Sequence, residues 1–248
     1  LGGAIGWNLI TWRLGLPSSS THALIGGVVG AALAAGTVVA WSTVWDKVVI
    51  PMVTSPFVGL ILAFLLMRLI VAIFRDRNPQ KVGGGFRHAQ TVSAAAMAMG
   101  HGMQDAQKTM GVIFLLMVTM GYASASEEMP VWIVIACATA ISLGTAVGGK
   151  RIMKTLGRRI IDLDPARGFS AESTSAAVLY VTALGLEAPV STTQVITGGI
   201  MGAGAEKRVR SVRWSVGVNI LWAWVLTLPA AAAIAAVVYL ILKLVTPL

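Results

Sequence analysis

The sequence predicts an all-α integral membrane protein, and its composition and its uncharged stretches both indicate this class. Of the 248 residues, 56% are hydrophobic and only 12% are charged, and the mean hydropathy is +0.79. Soluble domains usually carry about 25% charged residues, which argues strongly against a soluble fold. The uncharged stretches 48–67, 129–149 and 214–242 each reach the length of about 20 residues that an α-helix needs to cross a bilayer.

The charge distribution predicts the orientation of the chain in the bilayer. Nineteen Lys and Arg residues against ten Asp and Glu residues give a formal net charge of +9. No basic surface interleaved with aromatic residues is visible, so a nucleic-acid partner is not expected. The cations instead fall in short loops, and basic loops stay on the cytoplasmic side. We therefore predict a multi-pass protein of the plasma (inner) membrane with cytoplasmic loops at 75–87, 150–167 and 207–213.

Two regions of the chain share one pattern at an offset of 172 residues. The pattern P-x-S-[ST]-T followed by G-G-x-x-G begins at Pro17 and again at Pro189. The second copy leads into a cytoplasmic basic loop, whereas the first leads to Asp46 and Lys47, which we expect outside. The two copies therefore point in opposite directions. Paired apolar segments of this kind, interrupted by Pro and Gly, are typical of a secondary transporter with inverted repeats.

The repeat also defines the domain boundaries that we expect. Counterparts of Asp105 and Glu172 in the first repeat would fall before residue 1, so we expect the first repeat to be cut and the chain to be a fragment. The first expected unit is the remainder of the first repeat at 1–74, which contains a re-entrant hairpin at 15–36 and a span at 48–74. The basic loop at 75–87 follows. The second repeat occupies 88–248 and contains a hairpin at 188–205 and a last span at 214–242.

The hydroxyl residues that follow each proline are candidates for binding an anion. Each group precedes a short Gly-rich helix, whose first N–H groups are free and lie at the positive end of the helix dipole. Two such helix starts facing each other at mid-membrane would hold an anion. For one copy alone, hydroxyls bonded to carbonyls at a kink would be the simpler interpretation, but the inverted duplicate favours the anion site. The candidates are Ser18, Ser19, Ser20, Thr21, Ser191, Thr192 and Thr193.

A second candidate site lies in the segment GHGMQDAQKT at 100–109. An ionisable residue at membrane depth is costly and usually marks an ion or proton pathway. Asp105 is the candidate cation ligand or proton acceptor, and Gln104 supplies an amide oxygen beside it. The glycines would let the backbone unwind and offer carbonyl oxygens within a span expected at about 88–122. The alternative is that Asp105 pairs with Lys108 at a helix end near the membrane surface.

Three motifs together resemble the inorganic phosphate transporter (PiT) family: GLPSSSTHALIGG at 15–27, GHGMQDAQKTMG at 100–111 and PVSTT at 189–193. The resemblance extends over essentially the whole chain. It implies a cation-coupled symporter in which the hairpin Ser and Thr residues hold inorganic phosphate.

The resemblance also assigns roles to three side chains in the second repeat. It implies that Asp105 serves the coupling cation, with Gln104 where the family usually has Asn. It also implies that Glu172 is a carboxylate used in transport, so Glu172 is a third candidate residue for the coupling cation. No resident cofactor is implied, because H⁺ or Na⁺ would be co-transported. Asp105 would be a metal ligand if the coupling ion is Na⁺.

We therefore predict a phosphate symporter and not an enzyme, with the choice of H⁺ or Na⁺ and homo-oligomer formation left open. A permease for sulfate or another tetrahedral oxyanion is an alternative, because the same donors would hold it. An intramembrane serine hydrolase using Ser19 or Ser20 with His22 is a remote alternative. Catalytic Ser and His residues rarely meet when they are two or three positions apart, and the second copy has Gln194 in place of His.

Overall fold

The computed structural model describes residues 1–185 and 190–245, which form nine α-helices and contain no β-strand. The predicted all-α class is confirmed. Pro189 and the start of the expected hairpin at 188–205 lie outside the described residues. The helices are α1 (Gly2–Leu14), α2 (Ser20–Ala34), α3 (Trp41–Val44), α4 (Ile50–Phe74), α5 (Pro79–Thr119), α6 (Val131–Lys154), α7 (Pro165–Leu184), α8 (Thr192–Ala205) and α9 (Trp214–Val245).

Three helical stretches are long and apolar enough to cross a membrane. They cover Trp41–Phe74, Val131–Arg159 and Trp214–Val245. The first joins α3 to α4 through a π-helical turn at Trp45–Val49, and the second continues α6 through a π-helical turn at Thr155–Arg159. Their lengths exceed the about 20 residues that span the hydrocarbon core. The prediction of a helical membrane protein is thus confirmed.

Helix α5 is longer than the span that the sequence predicted at about 88–122, which its length suggested would be broken or tilted. It is one continuous helix, begun by Asn78, whose Oδ1 accepts the N–H of Gln80 at 2.9 Å. The expectation of unwound backbone at the glycines was wrong. Gly100 lies where a Cβ would come within 3.5 Å of the Leu179 Cβ on α7. That distance is an ordinary van der Waals contact, so Gly100 lies at a packed helix interface. The Met, Gln and Ala residues that follow favour a continuous helix.

The internal repeat is visible in the helix packing, because α2 lies against α9 while α8 lies against α4. In both pairs two glycines, one turn apart, face backbone carbonyls of the partner helix. The contacts are those of Gly26 with Leu228, Gly30 with Ala232, Gly198 with Pro56 and Gly202 with Leu60. The offset of 172 residues relates the glycines and also their partners, so α9 is the counterpart of α4. Each repeat therefore packs a hairpin helix on the other repeat.

The same contacts give the direction of each helix. In both helix pairs, the later glycine contacts the later residue of the partner helix. Helix α2 is therefore parallel to α9, and α8 is parallel to α4. Only the segment 206–213 joins α8 to α9, and Gly217 lies against Met201 across that connection. Helices joined by a short segment are antiparallel neighbours. It follows that α2 and α8 point in opposite directions, as inverted repeats require; which loops face the cytoplasm stays a prediction.

In the first repeat, the packed helices α1 and α2 are joined at a polar turn. Helix α1 ends at Leu14, its C-cap Gly15 has φ 69°, and the chain passes through Pro17 to the start of α2. We call residues 15–21 the first tip and residues 190–193 the second tip. Ser19 and Ser191 occupy equivalent positions, where each hydroxyl accepts a backbone N–H three residues later. Such capping fixes where both helices begin.

Trp224 of α9 attaches the first tip to the other repeat. Its indole Nε1 donates to the Pro17 carbonyl at 2.9 Å in a buried position. Trp224→Phe keeps one aromatic ring but removes both the indole donor and part of the buried ring system, so the free energy of unfolding should fall by about 2 kcal/mol. The thermal unfolding midpoint in detergent measures this loss. Trp222→Phe is the control, because Trp222 is 59% exposed; equal midpoints for the two variants would contradict the prediction.

Candidate functional site

Both tips converge on one face of α5. His101, Asp105 and Lys108 lie on this face because residues spaced by three and four positions are neighbours on a helix surface. The α2 and α8 starts approach it from the two repeats. Since α2 and α8 run in opposite directions, two helix N-termini meet at one place within the described structure. That geometry is the one expected for an anion site.

The first tip is held to α5 by two hydrogen bonds. The Ser20 hydroxyl donates to Asp105 Oδ2 at 3.0 Å. Lys108 Nζ donates to Thr21 Oγ1 at 2.8 Å. The Asp105 carboxylate also lies 3.6 Å from Lys108 Nζ and 3.6 Å from His101 Nδ1. The first tip therefore contacts both an acidic and a basic group.

The second tip is held to the same face of α5. His101 Nδ1 and Thr192 Oγ1 share a hydrogen bond of 3.0 Å. Lys108 Nζ donates to the Val190 carbonyl at 3.2 Å. Lys108 therefore binds both tips at once, and one side chain connects the two repeats.

A cavity of about 560 Å³ opens between the tips and α5. Polar groups from both repeats line one side, while α6 closes the other side with apolar residues such as Cys137. A cavity that combines a few convergent polar groups with apolar walls is the usual form of a small-ligand site. Its polar lining consists of Ser20, His101, Asp105, Thr109 and Thr193.

The predicted hydroxyl residues divide into two groups. Ser20 and Thr193 line the cavity, one from each repeat. Thr21 and Thr192 stand beside them but are bonded to α5. These four lie in the first turns of α2 and α8, where free N–H groups are expected.

The remaining three predicted residues shape the tips. Ser18 shares a 2.7 Å hydrogen bond with Thr11 of α1. Ser19 and Ser191 are 1% and 2% exposed and serve as the helix caps. Contact of these three with an anion stays a prediction.

Gln104 and Asp105 lie side by side, as predicted, but they face different groups. Gln104 is buried, and its Nε2 donates to Thr182 Oγ1 at 3.0 Å and to the Leu179 carbonyl at 3.2 Å. Its amide oxygen accepts from Lys108 Nζ at 3.4 Å. The alternative pairing of Asp105 with Lys108 is also present. It lies deep within α5, however, and not at a helix end.

Glu172 does not join the other two cation candidates. Its carboxylate accepts the Ser93 hydroxyl at 2.7 Å and the Gln90 amide at 3.5 Å. Ser93 precedes Gln104 by about 16 Å along α5, given the rise of 1.5 Å per residue. A transport role for Glu172 stays a prediction, at a position separate from the tips.

His22 and Gln194 are equivalent by the repeat, and both are fully buried. Among the described residues, none of their four side-chain nitrogen and oxygen atoms has a hydrogen-bond partner. Ser19 contacts the backbone N–H of His22 and not its ring. The Ser–His pair that a serine hydrolase needs is therefore not formed here.

The bridging position of Lys108 was not predicted from the sequence. There the residue was identified only as a local partner of Asp105. The available signal was its spacing of four residues from Gln104 and three from Asp105, which places all three near one another. That Lys108 also reaches both tips depends on tertiary packing.

Together, the inverted repeats and the shared polar cavity define an α-helical secondary transporter of the membrane. The chain belongs to the phosphate transporter family (PHO4), whose sequence pattern matches residues 1–235. It is a phosphate transporter, and the family resemblance seen in its three motifs is confirmed. Membership of a transporter family also confirms that the protein is not an enzyme.

The relatives and a solved structure agree with this assignment. The chain is 48% identical to the probable low-affinity inorganic phosphate transporter of Rhizobium meliloti (strain 1021), over 98% of this chain and 73% of that protein. It is 42% identical to the protein of the same description from Bacillus subtilis (strain 168), again over 98% and 73%. A solved structure described as the sodium-dependent phosphate transporter has a TM-score of 0.86 and 25% identity, covering 98% of this chain and 78% of that one.

Proposed function

We propose that the protein is a secondary active symporter that moves inorganic phosphate across the plasma membrane together with H⁺ or Na⁺. Phosphate binds in the cavity between the tips, where Ser20 and Thr193 contribute hydroxyls and the first turns of α2 and α8 contribute N–H groups. The observation that carries the proposal is the meeting of two oppositely directed helix N-termini at one cavity. Both helix dipoles then favour an anion at the same point.

Charge compensation explains why a cation accompanies the anion. Asp105 lines the cavity, and phosphate adds its own negative charge beside that carboxylate. Lys108 and His101 lie beside this carboxylate. Burying a charge without compensation in apolar surroundings is costly, and a cation that enters with phosphate lowers that cost. Rocking of the two interlocked repeats would then exchange access between the two sides of the membrane.

Protonation chemistry favours phosphate over sulfate at this cavity. Phosphate keeps a protonated oxygen near neutral pH, so it can donate a hydrogen bond to a carboxylate such as Asp105. Fully ionised sulfate has no such donor and would face only repulsion from that group. The relatives described as inorganic phosphate transporters agree with this preference.

Radiolabelled phosphate uptake into proteoliposomes tests the proposal. Na⁺ and H⁺ gradients are imposed separately, with excess sulfate as competitor. We expect gradient-driven uptake that sulfate does not inhibit. Uptake blocked by sulfate would instead indicate a sulfate permease, and no stimulation by either gradient would contradict symport.

The two cavity hydroxyls provide a direct test of the site. Ser20→Ala and Thr193→Ala should each lower phosphate uptake about tenfold, because each removes a hydrogen bond to a charged ligand. Initial uptake rates at low phosphate concentration measure the loss. Ser142→Ala is the matched control, since this exposed hydroxyl bonds only to the Ala138 carbonyl of its own helix. Rates for Ser20→Ala and Ser142→Ala that do not differ would argue against the site.

A further inference from the structure

The Lys108 ammonium lies among oxygen atoms from three parts of the structure. The first tip supplies the Thr21 hydroxyl at 2.8 Å, and the second tip supplies the Val190 carbonyl at 3.2 Å. Helix α5 itself supplies the Gln104 amide oxygen at 3.4 Å and the Asp105 carboxylate at 3.6 Å. Hydroxyl, carbonyl, amide and carboxylate oxygens are the ligands that hard metal cations prefer.

The Lys108 ammonium provides a hydrogen-bond donor for each of three of these oxygen atoms, so no metal ion is needed to bind them. It has three N–H donors, and the hydroxyl, the carbonyl and the amide oxygen provide three acceptors. The Asp105 carboxylate supplies the opposite charge. The Lys108 side chain is only 20% exposed, so these contacts replace most of its hydration. A free metal cation could bind these oxygen atoms only by displacing the Lys108 ammonium, which is covalently attached to the chain.

We infer that Lys108 is the resident cation of the phosphate site, and that phosphate binding there therefore requires no Na⁺. The inference rests on the proposed function, because it assumes that phosphate binds between the tips. It separates this chain from the solved relative described as sodium-dependent. If the inference holds, Asp105 pairs with the lysine in the wild-type protein in place of the Na⁺ that the sequence predicted as one possible partner, because the carboxylate and its neighbouring oxygens already surround the ammonium.

The tethered cation also connects the two tips. Lys108 joins both tips, so it holds the two helix N-termini together in the arrangement that receives the anion. Its charge balances Asp105 whether or not a metal ion is present. Lys108 is thus a positioning residue that acts from behind the cavity wall, because it balances Asp105 and holds the tips but is not among the residues that line the cavity.

Equilibrium binding of radiolabelled phosphate to the purified protein tests the inference without any gradient. Binding is measured in choline chloride and in NaCl, for the wild type, Lys108→Ala, Lys108→Gln and Lys154→Ala. Lys154 is an exposed lysine at the end of α6 and serves as the control. Size-exclusion chromatography in detergent shows whether each variant is folded.

We expect wild-type affinity to be the same in both salts. Lys108→Ala should bind phosphate about tenfold more weakly in choline, because the charge that balances Asp105 and the links that hold both tips are lost. Na⁺ should restore part of that binding, because the vacated oxygens can then hold the metal ion. Lys108→Gln should lose affinity without recovery in Na⁺, because its side chain still fills the space. Lys154→Ala should match the wild type in both salts.

Several results would overturn the inference, and they differ from failure of the proposed function. Wild-type binding that requires Na⁺ would show that a metal ion is needed despite the lysine, and this result does not depend on any variant folding. A folded Lys108→Ala protein that binds phosphate with wild-type affinity in choline would contradict the inference. A folded Lys108→Ala protein whose phosphate affinity falls equally in choline and in Na⁺ would also contradict it, because Na⁺ would then not replace the lysine as the cation. A wild-type protein that binds no phosphate in either salt would contradict the proposed function itself.

Discussion

Replacement of Asp105 by asparagine is expected to lower phosphate uptake about 100-fold, which corresponds to about 2.7 kcal/mol. The variant keeps an acceptor for the Ser20 hydroxyl but removes the negative charge beside Lys108 and His101. Removing one partner of a partly buried ion pair leaves the other charge uncompensated. Initial uptake rates in proteoliposomes measure the effect. Asp162→Asn is the control, because Asp162 forms an exposed ion pair with Arg213 away from the cavity.

A double variant separates transport from stability in this prediction. If the Asp105–Lys108 pair were only structural, neutralising both residues would restore stability and uptake together. We expect Asp105→Asn combined with Lys108→Gln to recover only part of the thermal midpoint lost in the single variant, because the links from Lys108 to both tips are also lost, while uptake stays low. Uptake at the wild-type rate by Asp105→Asn, or recovery of uptake in the double variant, would contradict a role for Asp105 in phosphate transport.

The fold class could be predicted because its signals are local or periodic. The uncharged stretches identify membrane helices by length alone. The equivalent caps at Ser19 and Ser191 follow from short patterns of Pro, Ser, Thr and Gly, since capping depends on residues within one turn. The offset of 172 residues then related regions that share no further obvious pattern.

The site was only partly predictable because its contacts join distant segments. The sequence identified Ser20, Asp105 and Thr193 as polar residues in apolar surroundings, and all three line one cavity. It did not indicate that Lys108 would reach Thr21 and Val190, because these contacts depend on how both tips pack on α5. The continuous course of α5 was also missed, since a glycine can mark either unwound backbone or close helix contact.

The interlocked repeats depend on glycine at the helix crossings, and Gly202 provides the sharpest test. A Cβ at this position would lie 2.9 Å from the Leu60 Cα and even closer to the Leu60 carbonyl oxygen on α4. Because the obstacle is backbone and not a flexible side chain, α8 would have to move away from α4. Such overpacking costs about 3 kcal/mol or more, which is a large part of the stability of a domain.

Gly202→Val is therefore expected to yield little folded protein, with a large decrease in the thermal midpoint of whatever remains. The fraction that elutes as a single species in detergent and its unfolding midpoint measure the loss. Gly144→Val on α6 is the matched control, because a Cβ there meets nothing within 4 Å. The repeat predicts a second sensitive position, because Gly30 faces the Ala232 carbonyl in the equivalent helix crossing. Gly30→Val should therefore lower the folded yield and the thermal midpoint as much as Gly202→Val does. A stable Gly202→Val or Gly30→Val protein would mean that close α8–α4 and α2–α9 contact is not what holds the two repeats together.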